Sequence, residues 1–162
     1  MIPVRSGEYA PEGHNGTTLS SELRAWATGD YCYEAAVEML LRGFHGRFAQ
    51  NINPWVCPDG LTGRTSVDFA SIPYHIAGCS KVEQQFLLFA ASLAEGIEIN
   101  LADVIPGLER AEVELILAAI SHASASHECP PSAAGNDGPT RAAPMTALYP
   151  WPGDEPRIRI VQ

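Results

Sequence analysis

The sequence predicts a mainly α fold: a compact bundle of four or five helices with an irregular mid-chain loop and a Pro-rich C-terminal tail. Three observations carry this. Apolar residues recur at helical spacing in three stretches. Helix-entry and helix-exit residues bracket those stretches. Seven of the thirteen prolines fall after residue 128, where the periodicity stops.

Residues 1–16 are rich in Gly, Pro and polar groups and read as an irregular lead-in, residues 17–127 as one helical domain, and 128–162 as the tail. "LSSELRAWA", from Leu19, is a short helix ending before Gly29. Asp30 then reads as an N-cap, its carboxylate placed to accept from open amides of the next turn. Tyr33, Val37, Leu40, Leu41 and Phe44 follow on one helical face, with Gly43 and Gly46 as the stop, so a helix is expected over 31–42.

Residues 45–66 read as a long loop with one short strand, punctuated by Asn53-Pro54 and Pro58-Asp59-Gly60. Loops of this length in a compact domain often carry function, so Arg47, Trp55 and Arg64 are candidate contacts for a protein partner. "SVDFASIPYHIAG" is expected to hold a short helix started or interrupted at Pro73.

Ser80-Lys81-Val82-Glu83 matches a capping box. Val82, Phe86, Phe89 and Leu93 form the stripe behind it, widened by Leu87, Leu88 and Ala90, and Gly96 ends the helix. After "IEINLADVIPG" a last helix is expected over about 108–124, facing inward through Val113, Ile116, Leu117 and Ile120. Its acids, Glu109, Glu112 and Glu114, sit near the positive end of the helix dipole and His122 near the negative end.

The tail carries "LYPWP", whose Tyr149 and Trp151 are further candidate contacts, and ends on "RIRIV", which alternates with the period of a strand. "MIPV" at the N-terminus could pair with that strand, and the tail could add to the sheet edge of a partner.

Composition narrows the function classes. Nineteen acidic residues against ten basic ones give a net charge of −9, which opposes binding to duplex nucleic acid. The acids spread from Glu8 to Glu155 without a dense block, so an acidic nucleic-acid mimic is only a secondary alternative. No apolar run nears the ~20 residues that cross a bilayer, and "MIPVRSGEYAPEG" has no apolar signal core, so a cytoplasmic protein with no membrane partner is expected. The four cysteines, Cys32, Cys57, Cys79 and Cys129, form no short-spaced pair and read as structural or free thiols.

Chemistry has few candidates. His75 and Cys79 lie four apart ahead of a helix start, where a thiol pKa is lowered, and they define the alternative of an enzyme or metal-binding protein beside the 45–66 loop. His122, His127 and Cys129 lack the paired spacing of a zinc site. Glu34 and Glu38, at i and i+4, read as a solvated acidic face. "GLTGRTS" lacks the lysine and preceding strand of a phosphate loop. No catalytic residue, metal ligand or cofactor is assigned. The expected role is a non-enzymatic interaction or regulatory protein, binding another protein or itself.

Three segments together, "YEAAVEMLLRGF", "VDFASI" and "FLLFAASLAEGIEINLADVIPGLERAEVELILAAISHAS", resemble a group of small uncharacterised proteins from actinobacteria and their phages. The resemblance covers residues 31–125, and Phe69 stands where that group carries tryptophan. It implies a mostly helical fold and a phage or actinobacterial origin, and it transfers no site residue.

Overall fold

The computed structural model describes residues 18–58, 64–127 and 147–154. The lead-in, the Asp59–Gly60 part of the expected turn, most of "GLTGRTS", Cys129 and the "RIRIV" strand lie outside the described residues.

Helix α1 (Leu19–Ala27) is capped by Thr18, whose hydroxyl accepts from the Ser21 amide. Helix α2 (Tyr31–Arg42) starts at Asp30, whose carboxylate accepts from the amides of Cys32 and Tyr33. It is the central element, packing against α1, α4 (Lys81–Glu95) and α6 (Arg110–Ala123). That is why Ala35, Ala36, Val37, Met39 and Leu40 are all buried, a set too wide for one face.

A 3₁₀ segment (Gly43–Ala49) follows α2. Phe44, His45 and Gly46 are all left-handed there, a turn that costs strain at the two side-chain-bearing residues. Gly43 itself has an ordinary φ of −69°. Its lack of a side chain answers to packing, because a Cβ there would meet the Phe86 ring at 2.5 Å. The left-handed turn brings Phe44 to Phe86 and Phe48, with ring centroids 5.4 and 5.3 Å apart.

Residues 43–58 of the long loop are therefore a folded unit. The Trp55 ring is buried and its indole N–H donates to the Phe48 carbonyl at 2.8 Å. The Asn53 amide donates to the carbonyls of Arg47 and Gln50. Beyond it, β1 (Val56–Pro58) and β2 (Thr65–Val67) pair antiparallel, Val56 opposite Val67. Among the described residues the loop region holds two short strands where one was expected. Thr65 ties the hairpin to α1 by donating to Glu22 at 2.7 Å.

A 3₁₀ turn (Phe69–Ser71) runs into α3 (Ile72–His75), with Pro73 in its first turn. Both halves of the capping box are formed at α4, and Gly96 closes that helix with φ +67°. Short helix α5 (Leu101–Val104), capped by Asn100, lies within "IEINLADVIPG", to which the sequence reading assigned no helix. Gln85 pins it: its buried amide donates to the carbonyls of Asp103 and Pro106 at 2.7 and 3.0 Å.

Helix α6 is turned from the expected stripe. Leu115, Ile116, Ala118 and Ala119 are buried, whereas Leu117 and Ile120 are 42% and 47% exposed. Helices α6 and α2 pack against each other, and both bury alanines: Ala118 and Ala119 on α6, Ala35 and Ala36 on α2. The buried face of α6 is shared by Leu115 and Ile116 with Ala118 and Ala119, and the alanines give no signal in a stripe drawn through large apolar side chains. No helix among the described residues is long and apolar enough to cross a membrane.

Candidate functional site

Glu34, Glu38 and Arg42 lie at i, i+4 and i+8 and form a polar stripe along α2. Arg24 reaches across from α1 and binds Glu38 through two of its nitrogens. Arg42 Nε donates to the same carboxylate at 2.7 Å. Glu38 thus joins two arginines from two helices while its side chain is only 14% exposed. Burial alone would raise its carboxyl pKa, but the two arginines outweigh that and hold it below the usual range.

Glu34 faces α6. Its Oε2 lies 2.7 Å from His122 Nε2, and its Oε1 accepts from the Gly29 amide at 2.9 Å. Burial again works upward, and the Gly29 amide and His122 outweigh it, so this carboxyl also sits low. The His122 ring stacks on His127 with centroids 4.9 Å apart, and Tyr31 meets both rings edge-on. The pair therefore is no solvated acidic face. The reason is tertiary: α1 brings the Arg24 guanidinium to Glu38, and α6 brings the His122 ring to Glu34.

The end of α6 shapes the rest. Ala125 is left-handed at φ +54°, and the amides of Ala125 and Ser126 return to the carbonyls of His122 and Ser121. This is a Schellman turn with alanine where glycine is usual. It sets the Ser121 and Ser126 hydroxyls 2.8 Å apart. Each hydroxyl also accepts a backbone amide from the tail: Ser121 that of Tyr149 at 2.8 Å, and Ser126 that of Leu148 at 3.2 Å.

Residues 147–154 lie along this surface. Trp151-Pro152-Gly153-Asp154 makes a tight turn, with the Asp154 amide donating to the Trp151 carbonyl and Gly153 at φ +90°. Proline second and left-handed glycine third suit a type II turn. Arg42 grips the turn three ways: it donates to the Pro152 carbonyl, pairs with Asp154 at 2.8 Å and lies over the Trp151 ring at 5.3 Å. Trp151 also flanks His122, and it walls an open hollow of about 310 Å³ lined by Arg24, Glu34, Val37 and Glu38.

The candidate contacts read from the sequence separate. Tyr149 and Trp151 belong to this one segment. Arg47 is elsewhere, half exposed, paired with Glu83 at 2.6 Å and lying over the Phe48 ring at 4.6 Å. Arg64 is exposed just before β2. Trp55 is withdrawn as a surface contact, because at 2% exposure its ring belongs to the core. Glu34, Glu38, Arg24, Arg42, Ser121 and His122 were not chosen from the sequence. The available signal was the i, i+4, i+8 spacing of Glu34, Glu38 and Arg42, but nothing local shows that it faces other elements.

The alternative chemistry at His75 and Cys79 gains no support from the geometry of the described residues. His75 is exposed at the end of α3, and no hydrogen bond joins it to Cys79 among the described contacts. Burial, then the Glu83 charge, pushes the Cys79 thiol up despite Arg47 nearby, opposite to the activation expected of a helix start. Cys32, Cys57 and Cys79 are free thiols, and no cluster of three His, Cys, Asp or Glu occurs among the described residues. Four of the acids, Glu38, Glu83, Glu114 and Asp154, are paired with arginines, which breaks up any continuous acidic stripe through them.

No family model, curated protein or solved structure matches the chain.

Proposed function

We propose that the chain is a non-enzymatic protein-interaction module whose α2–α6 face recognises a short aromatic–proline segment ending in a carboxylate. The observation that carries this is the seating of residues 147–154 on that face. Two serine hydroxyls take consecutive backbone amides, and one arginine takes a carbonyl, a carboxylate and an indole ring. Main-chain bonds supply affinity in such a site, while the indole and the carboxylate supply selectivity.

The segment is tethered by twenty residue steps between His127 and Ala147. A chain of that length extends to about 65–70 Å at most. The same segment therefore reaches the face of a second copy, and exchange between copies is a low-cost route to self-association. A partner protein with a segment of the same chemistry competes for the face.

The test uses the full chain, a Trp151→Ala variant and a labelled peptide of sequence ALYPWPGD. The peptide is expected to bind the variant more tightly than the wild type, whose own segment competes, and to lose binding when its tryptophan is replaced by alanine. Binding to neither protein would refute the module. Sedimentation over a concentration series separates the partners: a dimer of the wild type, weakened by Trp151→Ala, assigns a second copy.

A further inference from the structure

The end of α6 holds two histidines in one stack, and their polar surroundings are unequal. The His122 and His127 rings lie 17° from parallel with centroids 4.9 Å apart. His122 Nε2 meets the Glu34 carboxylate at 2.7 Å. His127 Nδ1 is buried with no hydrogen-bond partner. Tyr31 meets the two rings edge-on, at 5.6 and 5.1 Å.

Imidazole is the side chain whose charge ordinarily changes between about pH 5 and 8. One proton on the pair suits this place: on His122 it lies against Glu34 and in the last turn of α6, at the negative end of the helix. A second proton does not. It would set two like charges 4.9 Å apart and put a charged, buried N–H at His127 Nδ1 with no acceptor.

The other charges nearby do not offset it. On α2, the Glu34 carboxylate feels both rings but hydrogen-bonds His122 and not His127. Asp30 caps its own helix, and Glu38 is taken by Arg24 and Arg42. Among the described residues α1 brings Arg24, a further positive charge, and the tail brings Asp154, which is paired with Arg42.

The stack is joined to the tail segment on two sides. His127 directly follows Ser126, whose hydroxyl accepts the Leu148 amide and lies 2.8 Å from the Ser121 hydroxyl that accepts the Tyr149 amide. His122 lies 6.2 Å from the Trp151 ring. Opening the stack therefore disturbs both the turn that carries the serine anchors and the ring that borders the indole.

We propose that the His122–His127 stack is a pH-operated latch, which holds residues 147–154 on the α2–α6 face while it carries at most one proton and releases them when both rings are charged. The released state then binds more protons than the seated one, so falling pH favours release. The consequence, a face freed for a partner's segment, rests on the reading of that face as a recognition surface. The latch itself rests on the stack.

The experiment is an NMR titration of the full chain from about pH 7.5 to about pH 5.5, within the imidazole range and above the range in which Glu34 and Glu38 lose their charge. It follows the ring C–H signals of His122 and His127 and the amides of Leu148 and Tyr149. Those amides should shift toward their positions in Trp151→Ala, in step with the ring that charges second. His127→Phe keeps a stacked ring that cannot charge, so its Leu148 and Tyr149 signals should stay in place across the range. Tail amides that do not move in the wild type, that move with a midpoint matching neither ring, or that move equally in His127→Phe would overturn the latch. The wild-type series decides even if the variant misfolds. The labelled ALYPWPGD peptide, added to Trp151→Ala at the starting pH, tests the recognition surface separately: its failure to bind leaves the latch standing, and a motionless tail leaves the recognition surface standing.

Discussion

Arg42 Nη2 donates to Asp154 Oδ2 at 2.8 Å and so joins the end of α2 to a residue 112 positions later. The Asp154 side chain is 56% exposed, so the pair stabilises only weakly, by about 0.2–1 kcal/mol. Asp154→Asn should therefore loosen the tail without unfolding the bundle. Amide exchange at Leu148 and Tyr149, whose protons rest on Ser126 and Ser121, should speed up by roughly 1.5- to 5-fold, that same range expressed as a ratio. Unchanged exchange would mean that Arg42 does not help hold the segment.

Glu38 and Glu34 should make the fold acid-sensitive. Their folded pKa values lie below the ordinary 4.5, so the unfolded chain takes up protons first as pH falls. Their stabilisation is complete above that value and is lost as pH drops through the lower folded values. Urea midpoints measured across the acid range should show this decline. Glu38→Gln should lower stability at neutral pH by about 1–3 kcal/mol, because two arginines lose a charged acceptor, and should flatten the decline.

Gly43→Ala should destabilise by about 1–3 kcal/mol, the usual cost of overpacking. The new methyl would sit 2.5 Å from the Phe86 ring, which is fully buried and cannot simply turn away. Pairing it with Phe86→Leu tests the cause. If the ring is the obstacle, part of the loss at Gly43→Ala disappears in that background, as a double-mutant cycle in denaturant would read.

Gln85→Glu should cost about 2–3 kcal/mol, since a carboxylate cannot donate to the Asp103 and Pro106 carbonyls. The amides of α5 should lose exchange protection before those of α4. A uniform loss across both helices would contradict the local role given to Gln85.

Ala125→Gly should stabilise the protein, by about 0.5–1 kcal/mol. Alanine bears a left-handed penalty of about 1–2 kcal/mol, and the greater freedom of glycine in the unfolded chain cancels part of the gain. A lower denaturation midpoint for the variant would show that alanine at this turn makes a contact worth more than its strain.

Several elements were legible before any packing was known. Asp30, Ser80, Glu83 and Gly96 bound their helices where the sequence places them, because capping is settled within one turn of chain. Phe86 and Phe89 were legible as core, since large apolar groups at helical spacing leave few alternatives. The face of α6 was misread because part of its buried surface is alanine, Ala118 and Ala119, which contributes little to an apolar stripe drawn through Leu117 and Ile120. Trp55 was misread as a surface anchor because a loop assignment hides the Phe48 carbonyl that receives its N–H.

The candidate site was less legible than the fold. Tyr149 and Trp151 drew notice as an aromatic pair among prolines, but their seat on Arg42, Ser121 and His122 did not. Glu38 read as one more surface acid until Arg24 came to it from another helix. Helix boundaries, caps and turn residues follow from neighbours a few positions apart, so the linear order of this chain suffices for them. Which polar groups find each other follows from how α1, α2, α6 and the tail pack. Contacts over separations of 14, 88 and 112 residues, at Arg24–Glu38, Glu34–His122 and Arg42–Asp154, exist only once the bundle has closed.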